Sequence, residues 1–294
     1  APSGATTGAV QRLATILLTG QRTRVDAAEL VLAFRSGEEA RLGIRDLLLE
    51  NRADFHRAGG RITLAGADVA TLAAEWRAAD PVRDWRDSEG RAHLQFSRLD
   101  LAGTLGVLLR GLAPDWARRL APVAVPIAAE LWLDAAGGRA DLRGQIAAER
   151  LALAGALAED APRDLRADLT GWIVPGEDWG LRLQDLTFFW RDHAIRPLNL
   201  AIRQPLGATG PPRFRVAGDH LDLATLNAMA LATGLLPAKA AAAFAALNPT
   251  GSLRDPLVEI DLGDPRLVTH VQATLDDVAV DSWHHSPIVR GVSG

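Results

Sequence analysis

A period of two constrains this chain more than any other feature. In RPLNLAIRQ, at 196–204, Leu198, Leu200 and Ile202 fall on one beat, and Asn199, Ala201 and Arg203 on the other. Successive side chains of a strand point to opposite faces, so the pattern predicts a sheet with one apolar and one wet face. The same alternation recurs along the chain. Phe214 and Val216 oppose Arg213 and Arg215, and Val258, Ile260 and Leu262 oppose Glu259 and Asp261. Val271, Ala273 and Leu275 oppose Gln272 and Thr274, and Leu131 and Leu133 oppose Trp132. Trp179, Leu181 and Leu183 share a beat that slips at Gln184-Asp185, after which Leu186, Phe188 and Trp190 take over. A slip of one residue between two apolar runs predicts a β-bulge.

The strands come in series. TRVDAAELVLAFRSGEEARLGIRDLLLEN reads as a hairpin turning at Ser36–Glu39, and ADFHRAGGRITLAG and DVATLAAEWRAAD continue a meander. A further hairpin turns at Gly137-Gly138 and another at Gly263-Asp264-Pro265, with strands between them at 165–174, 179–190 and 195–204. A short helix is expected over Thr6–Gln21. The tetrad Leu-Asp-Leu-Ala at 99–102 recurs at 221–224, each time where an alternating stretch gives way to an Ala/Leu run. The runs Ala102–Leu120 and Ala224–Leu247 read as helical insertions at equivalent points, which predicts two sheet modules, 1–160 and 161–294. The opening APSGATTG lacks an initiator Met, and VRGVSG stops in mid-pattern, so a piece of a longer chain is expected.

Composition narrows the function. A net charge of -4 with no basic stripe argues against nucleic acid as a partner. The absence of Cys excludes disulfides, thiolate metal sites and a Cys nucleophile, and is compatible with an oxidising compartment. Lys239 is the sole lysine, which fits codon bias better than chemistry. No run of about 18 apolar residues is present, so no transmembrane helix is encoded in this stretch, and no signal peptide is evident.

Catalytic patterns are missing from the sequence. It contains no Gly-x-Ser-x-Gly, P-loop, dinucleotide fingerprint or His-Glu-x-x-His, and no cofactor is expected. His284 and His285 are adjacent and would point to opposite faces of a strand, which is unsuited to a shared metal. Asp192-His193, and His220 with Asp222, read as surface or strand-end residues rather than acid/base pairs. Trp-Arg-Asp at 85–87 and 190–192, among eight tryptophans, would suit sugar stacking beside carboxylates, but groove or rim tryptophans are the simpler reading. The run Ala240–Ala246 lacks the basic face of a membrane-surface helix and suits a helix packed over the sheet.

Something must cover the apolar face. Periodicity leaves two answers open: a second layer closing an ordinary core, or a ligand with alkyl chains of its own.

Several stretches bear on that choice. RVDAAELVLAF followed by LGIRDLLLENRADFHRAGGRITL carries an L-x-D-L-x-L-x-N phrase at Ile44, Asp46, Leu47, Leu49 and Asn51, with His56 after it. FSRLDLAGTLGVL follows, and the chain closes on Val280, Trp283, Pro287, Gly291, Val292, Ser293 and Gly294. Together these stretches resemble the YhdP-type AsmA-like proteins of Gram-negative bacteria, with Ile288 standing where the family's ending has a Gly after the Pro. The resemblance implies a mainly β fold: an elongated, curved antiparallel sheet, or repeating β-groove, with short helical insertions.

It also implies a non-enzymatic, periplasmic segment of a bridge anchored in the inner membrane, moving phospholipids to the outer membrane. Acyl chains would slide along Leu131, Leu133, Leu181, Leu183, Phe188, Trp190, Leu198, Leu200, Ile202, Phe214, Val216, Val258, Ile260, Leu262, Val271 and Leu275. The expected partners are phospholipid, the remainder of the chain extending the groove, and envelope proteins. Two rivals stand beside this reading: an envelope-assembly scaffold without lipid, and a carbohydrate-binding β-sandwich.

Overall fold

The computed structural model describes residues 20–33, 39–64, 66–78, 88–100, 125–150, 161–174, 177–190, 193–205, 213–233, 236, 238–261, 268–283 and 287–294. Strands β1 (Arg22–Ala33), β2 (Glu39–Arg52), β3 (Phe55–Leu64), β4 (Ala67–Arg77) and β5 (Glu89–Asp100) come first. They are followed by β6 (Pro126–Ala136), β7 (Arg139–Arg150), β8 (Arg163–Val174) and β9 (Asp178–Trp190). Then come β10 (His193–Ala194), β11 (Leu198–Pro205), β12 (Arg213–Gly218) and β13 (His220–Asp222), which lead into helices α1 (Leu223–Thr233) and α2 (Ala238–Leu247). β14 (Thr250–Asp261), β15 (Val268–Val280) and β16 (Val289–Val292) follow.

Strands adjacent in sequence are adjacent in space. The hydrogen-bonded order runs from β1 to β9 and on through β11, β12, β14, β15 and β16, with β10 beside β9 and β13 beside β14. The registered pairs are antiparallel. This is the mainly β antiparallel fold that the alternation predicts. The described residues fall into two compact units. The first lies within Ala1–Leu99, Ala128–Gln145 and Gly171–Pro175, and the second within Asp100–Ile127, Ile146–Thr170 and Gly176–Gly294.

Local chemistry explains the turns. Gly137 and Gly138, with φ of 57° and 74°, supply the two positive φ values that a two-residue hairpin of matching twist requires. The strand expected from Ile195 begins instead at Leu198, just after Pro197, which has no N–H to give to a ladder. His193 and Ala194 fold back and pair with Trp190 and Phe189. The expected helices at Thr6–Gln21 (apart from Gly20 and Gln21) and Ala102–Leu120, and the turn at Gly263-Asp264-Pro265, lie outside the described residues. So does the turn at Ser36–Glu39 apart from Glu39. The second insertion is present as α1 and α2.

Both Leu-Asp-Leu-Ala aspartates end a strand. Asp222, the last residue of β13, caps α1 by accepting the Thr225 N–H at 2.7 Å, the usual service of an N-cap carboxylate. Asp100 ends β5 and accepts the Val125 N–H at 3.0 Å.

The Asn51–His56 phrase is a latch on the β2–β3 turn. His56 is buried, and its Nδ1 lies 2.9 Å from the Asn51 side-chain oxygen. Its Nε2 lies 3.2 Å from the Ala78 carbonyl oxygen. Asn51 donates its Nδ2–H to the Gly20 carbonyl at 2.5 Å, and the His56 ring stacks on Trp76 at 5.3 Å. Two side chains thus tie the chain before β1 and the chain after β4 to one turn. The closing phrase is also structural. Ser293 Oγ accepts the Asp277 N–H at 3.1 Å, and Leu275 and Gly294 exchange backbone bonds of 2.8 and 3.1 Å.

Candidate functional site

The apolar face is kept in phase by a recurring device. Asp46, Asp164, Asp185, Asp255 and Asp277 all sit within strands at positive φ between 48° and 52°. Each is followed by an apolar residue: Leu47, Leu165, Leu186, Pro256 and Val278. In the registered pairs the Asp is one of the two residues of a bulge. Asp46-Leu47 stands opposite Gly60, Gln184-Asp185 opposite Asn199, Asp255-Pro256 opposite Ala273, and Asp277-Val278 opposite Gly251. Left-handed backbone disfavours most side chains, but Asp tolerates it because its short carboxylate bonds locally. Under strict alternation the carboxylate of Asp185 would follow Leu183 onto the apolar face. The bulge skips that beat, so Leu186, Phe188 and Trp190 take the face instead. The phase slip read at Gln184-Asp185 is this bulge.

Close approach at the bulge also selects its partner. Gly251, at φ 91°, has no room for a side chain: an added Cβ would lie 2.8 Å from Val278 Cα.

Register aligns the apolar residues across strands. Leu181, Ile202, Val216, Val258 and Val271 form one row over β9, β11, β12, β14 and β15. Leu183 pairs with Leu200, Leu186 with Leu198, Phe214 with Ile260, and Leu253 with both Leu221 and Leu275. Most of these are half-buried, while Val271 is 60% exposed. Trp179 joins the face, with its ring 6.3 Å from Phe214 and its Nε1–H donated to Gln204 at 2.8 Å. Leu262 lies outside the described residues.

Part of this face is covered. Phe188, Trp190 and Leu198 are buried with Ala167 and Leu186, and Met229 and Ala232 of α1 pack against the cluster. On the same helix Asn227 is 6% exposed, and its side-chain oxygen has no hydrogen-bond partner.

The first unit has an equivalent face, of which the sequence pattern marks only Leu131 and Leu133. Ala28, Ile44, Ile62, Ala70 and Phe96 align over β1 to β5, with Leu72 opposite Leu94 beside them. Leu131 and Leu133 are half-buried on β6, on the beat of buried Ile127 and Ala129. Small residues such as Ala58, Ala70 and Ala74 carry little hydropathy signal, which hides the period in this half.

The opposite face is a charge ladder. Arg203 meets Asp178, Arg213 meets Asp261 and Arg215 meets Glu259 at 2.5–2.8 Å. Arg61 bridges Asp46 and Asp68, and its hydrogen bond and charge hold the Asp46 carboxyl below the ordinary aspartate value. Arg254 does the same to Asp276.

His220 and Asp222 serve the backbone. Asp222 is the helix cap, and the Asp219 carboxylate beside His220 accepts the Asn199 N–H, the Asn199 Nδ2–H and the His220 N–H at 2.8–3.0 Å. Partial burial pushes Asp219 upward, but these donors outweigh it and keep its pKa low. His193 is exposed, and Asp192, the Trp-Arg-Asp at 85–87 and the His284-His285 pair lie outside the described residues. No group of three metal-ligating side chains occurs among the described residues.

Fold and face together define a meandering single-sheet protein, apolar on one side and ionic on the other. The chain matches the family model of the YhdP protein over residues 2–294, and it belongs to that family. Neither a curated protein nor a solved structure matches it. Among the described residues no helix is long and apolar enough to cross a membrane.

Proposed function

We propose that the chain is a segment of a bridge protein that carries phospholipid between the inner and outer membranes. Acyl chains lie along the apolar face, and headgroups stay in water. The observation that carries this reading is the five-strand row from Leu181 to Val271. All sixteen described strands belong to one sheet, so no second described sheet closes over that row. A row of apolar side chains with no described partner sheet suits a sliding ligand, because each contact is weak and the next is equivalent. Family membership supports the same reading. The segment works in the periplasm, non-catalytically, and joins onto further chain anchored in the inner membrane.

The test is lipid extraction and mass spectrometry of the purified chain, beside a variant with Leu200→Asp and Ile260→Asp. The expected result is co-purifying phospholipid that the folded variant loses. A folded wild-type chain free of lipid would favour the scaffold reading instead.

A further inference from the structure

The wet face of the first unit carries a hollow whose chemistry differs from that of the apolar face. It is bounded by Arg57, Glu75, Arg91, His93, Trp132, Asp134 and Arg143, drawn from β3, β4, β5, β6 and β7. Trp132 is 36% exposed, and its ring lies 5.2 Å from the His93 ring at a tilt of 30°. His93 Nε2 is 3.0 Å from Glu130 Oε1. Arg91 is paired with Glu75, and Arg143 Nη2 lies 3.5 Å from Asp134 Oδ2. A second tryptophan on the wet-face beat, Trp172 of β8, belongs to the same unit, with the Arg139 guanidinium carbon 5.9 Å from its ring centroid.

The charges decide what such a hollow holds. Arg91 and Arg143 each pair with a carboxylate, and Arg57 stands opposite Glu75 in the β3–β4 register, so the hollow mixes both signs of charge rather than gathering cations around one anion. Such a mixed surface suits a polyol. Fixed donors and acceptors stand side by side, each carboxylate with lone pairs to spare for hydroxyls. The indole supplies an apolar plate at the centre, of the kind that covers a C–H face while the hydroxyls point outward to polar groups. Because Trp132 alternates with half-buried Leu131 and Leu133, the hollow lies on the opposite side of the sheet from the acyl-chain face.

We propose that this hollow is a binding site for an uncharged oligosaccharide, with Trp132 as the stacking plate and Glu75 and Asp134 as hydroxyl acceptors. The site is independent of lipid carriage. Saturation-transfer NMR of the whole chain with chitotriose and with maltotriose tests it. Transfer to the ring C–H protons of at least one trisaccharide is expected at millimolar sugar. Trp132→Ala should abolish it, Trp132→Phe should retain it, and Glu75→Gln should weaken binding about tenfold. Co-purified phospholipid should be unchanged in all three variants. Should Trp132→Ala misfold, Glu75→Gln decides, since it leaves the aromatic pair in place. No transfer from either sugar, transfer undiminished by the variants, or displacement of bound sugar by inorganic phosphate would overturn the proposal.

Discussion

Asp185 and Asn199 face each other across the β9–β11 bulge, where the Asn199 side-chain oxygen accepts the Asp185 backbone N–H at 3.1 Å. The same Asn199 gives its own N–H and Nδ2–H to Asp219. One bulge is thereby tied to the turn between β12 and β13. The arrangement holds the bulge amide that a regular ladder would have paired, which is why the phase slip does not leave an orphan donor.

Asp185 is selected for its backbone rather than its charge. Asp185→Gly should leave stability within a few tenths of a kcal/mol, whereas Asp185→Val should cost about 1–2 kcal/mol for a left-handed β-branched residue. Urea unfolding midpoints compare the two. Equal midpoints would show that the bulge does not depend on residue 185.

The latch at the β2–β3 turn should be expensive to cut. His56→Ala removes the ring that lies between two buried acceptors, the Asn51 side-chain oxygen and the Ala78 carbonyl, and leaves at least one of them without its donor, an expected loss of about 1–3 kcal/mol. Thermal unfolding reads it. An unshifted transition would mean that His56 merely fills space beside Trp76.

Asp222→Ala should act locally. Loss of the cap costs about 1 kcal/mol, concentrated at the start of α1. Hydrogen exchange should show faster exchange at the Thr225 amide while β14 amides keep their protection. Uniform loss over both would assign Asp222 a wider role than capping.

The Asp46–Arg61 pair predicts a pH dependence. Its folded carboxyl titrates below the ordinary 3.8, so its contribution is present above that value and is lost as pH falls through the lower folded value. The stability gap between wild type and Asp46→Asn should therefore be full at neutral pH and close in acid. Both groups are exposed, so the gap should also shrink with added salt. Melting temperatures at neutral and acidic pH, at low and high salt, check both. A gap that persists in acid would rule out the ion pair as its source.

Legibility differed between the two halves of the chain. Leu198, Leu200, Ile202, Val216 and Val258 were readable as one face because large apolar residues alternate with Arg, Glu and Asn. The face of β3 and β4 was not, because Ala58, Ala70 and Ala74 do the same work with little hydropathy contrast. Asn51 and His56 were visible as a phrase but not as a latch, since their partners Gly20 and Ala78 are backbone groups that no side-chain pattern reveals.

The sequence by itself determined that the chain is a series of two-faced strands, and at Gln184-Asp185 it even marked where a face slips. Both follow from side-chain period, which is a local property. Only the tertiary structure decided which part of the apolar face is covered. Phe188, Trp190 and Leu198 carry the same signal as Ile202 and Val258, yet they belong to the buried cluster against which Met229 and Ala232 pack, while Val271 is 60% exposed. Where a helix docks depends on contacts between residues far apart in the chain, and no local periodicity encodes that.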